Sequence, residues 1–536
     1  MAGTPLDQIR FLHRSMKELN SCKLKSQKRL EAGRRILFLF FPLLQQEMQK
    51  YSINAGVPDP AIRKNTLDAC ADVLFSVAQS YMAIFKDYYE KPDAQFSHQI
   101  DLIRQVACRI LELFRLEQRV VGLRYKELKR ERWYYINSVF HIMRAYGEVE
   151  SDLPVLESDI YPGHAGRVTS ISRVFLALNM TGRLDMLQWP VHLQTVFVGY
   201  LESQLENTAI MEGQNAELDK TRLISWCGSS TFASSQRSSR CDNQNSVVID
   251  YREMDRRMRR DCDQILHAHE NSASAHGPKK LQSLSGLERL AMSHLLIRSL
   301  DVGFIDPSRQ REEPILGMQM YVTFKDVYHY IFHILSGKVH SQGKRLEDHF
   351  AERSAVIAED HTTEHRSLWF VLLHNHRMIR LKTQETDFTT QLEIGSLVAY
   401  ELGEQDKYRP RLASVKRLYR PDDASVIIDM DRLAKYAEPV SIEVIEPMPA
   451  NPEKIGALLI HDPDIGWNLL FSSNKTISEA CAVRMLFRNY PIEFKVGKLK
   501  QATTGFYLFD VPLDLAQLGL DEPPVFPMPR SGEAAS

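Results

Sequence analysis

The feature that most constrains this chain is a change of hydrophobic period along its length. From Asp7 to about Glu212 apolar residues recur every three or four positions, whereas beyond about residue 366 they recur every two. Residues three and four apart share a helix face, and alternate residues share a strand face, so the two ends must bury apolar surface in different ways. The fold class this implies is α+β and multidomain, with an all-helical N-terminal domain followed by a C-terminal antiparallel β-barrel region. The length agrees, because 536 residues exceed what one hydrophobic core of about 100–200 residues organises.

The clearest helical stripe is Leu67, Cys70, Leu74, Val77, Tyr81, Ile84 and Tyr88, and a second follows in Ile100, Ile103, Ala107, Ile110 and Phe114. The turn-like Lys91, Pro92 and Asp93 lie between them, which predicts two antiparallel neighbours. Further helices are expected over Trp133–Tyr146, Ile171–Leu178 and Val191–Gln204. The serine-rich Cys227–Arg240 and the Ser, His, Gly and Pro of Asn271–Ser285 read as loops. Around them lie helical segments at Met254–His267, Leu287–Ser299 and Phe324–Leu335.

In the distal part, Val483, Met485 and Phe487 alternate with Arg484, Leu486 and Arg488. After the turn Asn489, Tyr490, Pro491, a second run places Ile492, Phe494 and Val496 on one face, which is a hairpin pattern. Val426–Met430, Ile442–Ile445, Phe506–Val511 and the more continuous Leu397–Leu402 add short strands whose edges need covering or closure. Gly395 suits a tight turn leading into a strand, and Trp467 is an anchor for a second small β unit.

Lys and Arg number 67 against 68 Asp and Glu, a formal charge of -1, so no global field draws the chain to nucleic acid or acidic lipid. Any anion binding must be local. The longest apolar run, Ile36 to Phe41, is far below the ~18 residues of a membrane span. Met1 to Arg10 lacks a secretory pattern, and seven cysteines form no CxxC pair, so a reducing, cytoplasmic location is expected.

Among chemical motifs, His361-Thr362-Thr363-Glu364-His365 is an HxxEH string in which His361 and His365 are weak candidates for zinc, with Glu364 as base of a hydrolase. It needs a helix and a third ligand, and a strand-like Leu368–Leu373 follows it. His374 and His376 flank Asn375 and would share a strand face. Cys227, Cys241, Cys262, His267 and His269 are too irregularly spaced for a zinc ribbon. Arg252, Arg256, Arg257, Arg259 and Arg260 would make a phosphate patch if presented together, but Asp255, Asp261 and Asp263 among them favour an ordinary charge-paired helix face. Phosphate loops, dinucleotide turns and nucleophile elbows are absent, which moves weight from catalysis toward binding.

Leu412-Ala413-Ser414-Val415-Lys416-Arg417-Leu418, followed by Val426–Met430, Leu433 and Ala437-Glu438-Pro439-Val440, resembles the closing strands of PilZ domains, the bacterial cyclic di-GMP receptor barrels. Leu19 and Asn20 with the later aliphatic helices are similar to the helical region of divergent members. The family motifs are RxxxR and [D/N]xSxxG, in which guanidinium groups meet phosphates and guanine edges while small residues admit the ligand. Here the arginines are Arg309 and Arg311, spaced RxR, and the second motif reads Leu373-His374-Asn375-His376-Arg377-Met378, without its serine and glycine.

The resemblance therefore implies Arg309, Arg311, Asn375 and Arg377 as ligand-binding residues and cyclic di-GMP as the ligand, with no cofactor. The implied layout is a helical domain over 1–215, a mixed region over 216–345, a PilZ-like barrel over 346–450, a small β unit over 451–515 and a disordered tail over 516–536. The expected function is that of a bacterial cytoplasmic signalling effector, not an enzyme, whose helices contact a protein partner, with no nucleic-acid polymer bound. The alternatives are a nucleotide-independent scaffold and the zinc hydrolase at His361.

Overall fold

A computed structural model of the chain describes residues 3–53, 61–90, 99–160, 167–213, 218–235, 245–270, 278, 281–302, 319–341, 369–374, 378–386, 389, 392–401, 410–422, 424–434, 436–446, 454–462, 466–475, 477–487 and 490–512. The chain forms two compact units, Met1–Asp306 and Pro307–Ser536. No helix among the described residues is long and apolar enough to cross a membrane.

The first unit contains α1 (Pro5–Ser21), α2 (Ser26–Ile53), α3 (Ala61–Tyr89), α4 (Ile100–Gly122) and α5 (Arg130–Ala145). It continues with α6 (Leu156–Ile160), α7 (Ile171–Arg183), α8 (Val191–Gln204), α9 (Arg252–Glu270) and α10 (Gly286–Val302). The start of α1 is written in its sequence: Thr4 Oγ1 accepts from the Asp7 amide at 3.2 Å, Asp7 Oδ2 accepts from the Thr4 amide at 3.2 Å, and Pro5 opens the first turn. The stripe from Leu67 to Tyr88 is buried along α3, which packs on α4 through Ile103, Ala107, Ile110 and Phe114. Helix α2 reaches α3 closely at Gly33, where a β-carbon would stand 2.9 Å from the Tyr81 ring. The linking residues Lys91 to Asp93 lie outside the described residues.

Strands interrupt this unit, so it is not purely helical. β1 (Leu153–Pro154) pairs with β2 (Val168–Thr169), and β3 (Ala209–Glu212) and β4 (Arg222–Trp226) flank β5 (Ser246–Asp250) in an antiparallel sheet. The reason is local: Val247, Val248 and Ile249 form a β-branched run buried on both faces, which has no helical period.

The second unit has one described helix, α11 (Phe324–Ser341), and thirteen strands. Six form a sheet in the order β6 (Gln319–Val322), β9 (Leu397–Glu401), β10 (Arg411–Tyr419), β11 (Ser425–Ala434), β8 (Met378–Gln384), β7 (Phe370–His374). Seven form another in the order β16 (Tyr490–Lys495), β15 (Ala482–Phe487), β12 (Tyr436–Glu446), β13 (Lys454–Asp462), β14 (Gly466–Ser472), β18 (Phe506–Asp510), β17 (Leu499–Ala502). Every described pairing between these strands is antiparallel. The β-rich unit includes a curled half-barrel. Among the described residues β6 and β7 remain edges, as do β16 and β17, so neither sheet closes on itself.

Two cores hold this unit. Val327, Tyr328 and Ile331 of α11 pack with Leu397, Leu412, Leu433, Leu458, Ile460 and Leu470, joining the two sheets through the succession of β11 and β12. On the opposite face of the seven-stranded sheet, Ile442, Leu459, Leu469, Phe471, Val483, Met485 and Phe487 form the second core. The hairpin of β15 and β16 sets Met485 opposite Ile492, and Trp467 packs on this core with its ring 4.7 Å from that of His461. Gly395 has φ +87°, and a β-carbon there would meet Thr503 Cβ at 2.9 Å, so the turn into β9 requires glycine.

Candidate ligand-binding face

Arg309, Arg311, Asn375 and Arg377 lie outside the described residues, as do His361, Glu364, His365 and His376. Of that neighbourhood, His374 closes β7 with its imidazole against the Arg432 guanidinium. Among the described residues no group of three or more His, Cys, Asp or Glu is placed to hold a metal ion. Cys262 is buried in α9, and burial pushes its thiol up to about 12, away from the thiolate that metals take.

Most arginines of α9 are met by acidic side chains. Arg259 Nε meets Asp255 at 3.0 Å and its Nη2 meets Asp301 at 2.8 Å, Arg257 meets Glu253 at 3.4 Å, and Arg252 meets Asp250 at 2.7 Å. The aromatics of α5 and α11 go mostly into cores: Trp133 and Tyr328 are buried, while Tyr134 is exposed.

A different group assembles on the central strands of the six-stranded sheet. Asp429 of β11 is the register partner of Arg380 on β8 and of Arg417 on β10, so one row across three strands reads arginine, aspartate, arginine. All three residues are at most 3% exposed. Arg380 donates to both oxygens of Asp429, with Nη2 to Oδ2 at 2.6 Å. The Arg417 guanidinium carbon lies 5.6 Å from the Tyr419 ring centroid, within cation–π range. The β10–β11 register shifts between Val415 and Arg417, a bulge-like irregularity that re-aims the side chains beside it.

Further cations flank the row. Lys382 lies two positions beyond Arg380, and Lys416 Nζ sits 3.5 Å from Asp431. At the sheet end Arg420 Nε meets Glu385 at 2.9 Å and its Nη2 donates to the Thr389 carbonyl at 3.0 Å. Ser414, opposite Asp431, keeps a buried hydroxyl without a hydrogen-bond partner. Strands β8, β10 and β11 together carry Arg380, Lys382, Arg411, Lys416, Arg417 and Arg432 against only Asp429 and Asp431. Of these six cations Arg380 and Arg417 are buried, while Lys382, Arg411, Lys416 and Arg432 are half-buried.

In the sequence Ser414, Lys416, Arg417 and Asp429 stand within the runs that resemble PilZ strands, and none of the row is marked there as ligand-binding. Their signal was present as basic residues alternating in Arg380 and Lys382 and acidic ones alternating in Asp429 and Asp431, each set on one strand face. No family model, curated protein or solved structure matches the chain.

Proposed function

We propose that this chain is a bacterial cytoplasmic signalling effector that acts by binding rather than catalysis, its β unit receiving an anionic dinucleotide of the cyclic di-GMP kind. The observation that carries the reading is the six-to-two excess of basic over acidic side chains on β8, β10 and β11. Guanidinium groups bind phosphates in bidentate fashion, and Arg380 and Asp429 already hold such geometry within the protein. The resemblance of Leu412–Leu418 and Val426–Met430 to PilZ strands supports the same ligand class. On this reading Arg309, Arg311, Asn375 and Arg377 are the ligand-binding residues, and the helical unit carries the signal to a protein partner.

Calorimetric titration of the full chain with cyclic di-GMP tests the proposal. Saturable heat that weakens about tenfold or more in Lys382→Gln/Lys416→Gln and in Arg309→Ala, as loss of a charge-assisted phosphate contact entails, is the expected result. A flat trace would leave the nucleotide-independent scaffold as the better account.

A further inference from the structure

Helices α1 and α2 concentrate positive charge. Between Asp7 and Arg35 there are nine Lys and Arg against three Asp and Glu, a net of +6 in a chain whose total is -1. Seven of the nine are exposed: Arg10, Arg14 and Lys17 on α1, Lys23 and Lys25 between the helices, and Lys28 and Arg35 on α2. The buried one, Arg29, has a structural task. It donates to the Cys22 carbonyl at 3.0 Å and to Asn20 Oδ1 at 3.4 Å, while Asn20 donates to the Ser76 carbonyl of α3 at 2.8 Å. It thereby fixes the turn that presents Lys23 and Lys25. The two helices pack on each other and on α3.

Apolar side chains stand among these cations. Helix α2 seats one face on the core through Leu30, Leu37, Phe40 and Leu44, with Gly33 against Tyr81. Its opposite line, at steps of three and four, is exposed from Lys28 through Arg35, Phe38, Leu39 and Pro42 to Gln49. On α1, Phe11 stands exposed between Arg10 and Arg14, while Ile9, Leu12 and Met16 are buried. Phe38 is 54% exposed, Phe11 52% and Leu39 46%, three of the eight exposed large apolar side chains among the described residues. After Glu31 and as far as Lys50, α2 exposes no further carboxylate, because Glu47 is buried and meets Lys50 at 2.9 Å.

What covers such a surface follows from its chemistry. A second copy of the chain would set like charges against each other. Single-stranded nucleic acid would meet the cations and stack on Phe11 and Phe38, but Leu39 and Pro42 offer it no π-face. A helical peptide needs a groove for its anchors, and the exposed line of a helix is a ridge. An anionic bilayer uses every group present: aromatic and aliphatic side chains enter the boundary of headgroups and acyl chains while lysine and arginine stay with the phosphates. We propose that the exposed sides of α1 and α2 dock the helical unit on an anionic membrane surface, with Phe11, Phe38 and Leu39 inserted at the interface.

No nucleotide enters the test, which is sedimentation of the full chain with vesicles of phosphatidylcholine alone or mixed with phosphatidylglycerol, at low and high salt. The chain is expected to sediment with the mixed vesicles only, and salt should release it. Each cation near an anionic surface multiplies binding by roughly five, so Lys28→Gln/Arg35→Gln should weaken partition about thirtyfold. Phe11→Ser/Leu39→Ser should weaken it about tenfold or more through lost apolar burial. All four positions are exposed, so both variants should keep the parent's thermal midpoint, and if one pair fails to fold the other decides. Absence of sedimentation with mixed vesicles, equal sedimentation with both kinds, or undiminished partition in a folded variant would overturn the proposal. Binding of oligouridylate or polyglutamate in place of the vesicles would overturn it too.

Discussion

At the scale of single residues, Asp429 shows how this protein treats charge. Its carboxylate is buried and held by Arg380 with Arg417 at the same register, so three formal charges sit where water does not reach. Removing one partner of such a pair strands the other, which costs about 3–5 kcal/mol, whereas replacing both with apolar residues of similar size is often close to neutral. Arg380→Ala is therefore expected to lower the denaturant midpoint of the full chain strongly. Arg380→Met and Arg417→Met combined with Asp429→Leu should recover most of that loss. A triple variant as unstable as the sum of its singles would show that the row is not the unit described. The row was illegible in the sequence because alternating charge on a strand ordinarily marks a wet face, and only the register shows that Arg380, Asp429 and Arg417 stack across strands.

At the scale of elements, legibility follows one-sidedness of burial. The stripe on α3 could be read because the exposed residues keep to one line, Asp72, Gln79 and Lys86, and leave the apolar ones to the side packed by α1, α2 and α4, and the β15–β16 hairpin because alternate residues face one core. Strand β5 could not, since burial on both faces erases the period. One link between elements has a pH signature. His141 of α5 lies with Nε2 3.5 Å from Ser225 Oγ of β4, and that hydroxyl donates to Asn137 Oδ1 at 2.8 Å. Burial, with Arg144 adding to it, lowers the imidazole from its ordinary 6.5 to about 4. Between those values the unfolded chain binds more protons than the folded one. The stabilising contribution is complete above pH 6.5 and is lost as pH falls toward 4, at up to about 1.4 kcal/mol per pH unit. His141→Gln should flatten the fall of thermal midpoint across that window. A variant with the slope of the parent chain would contradict the assignment of His141 as the titrating link.

At the scale of the whole molecule, the change of hydrophobic period correctly separated a helix-rich unit from a β-rich one. It did not reveal the sheet within the first unit, or that among the described residues the strands of the second leave edges beside a curled half-barrel. Edge treatment explains how open sheets persist: β16 begins Tyr490-Pro491 and carries Glu493 and Lys495, and proline and charge both discourage further pairing. An open sheet also leaves its central strands to present a chemistry of their own, here a cationic one. The most direct test of that role is amide hydrogen exchange on the full chain with and without saturating cyclic di-GMP. The account predicts added protection concentrated in β8, β10 and β11, and its loss in Lys382→Gln/Lys416→Gln. Exchange unchanged throughout, or protection confined to other strands, would contradict it.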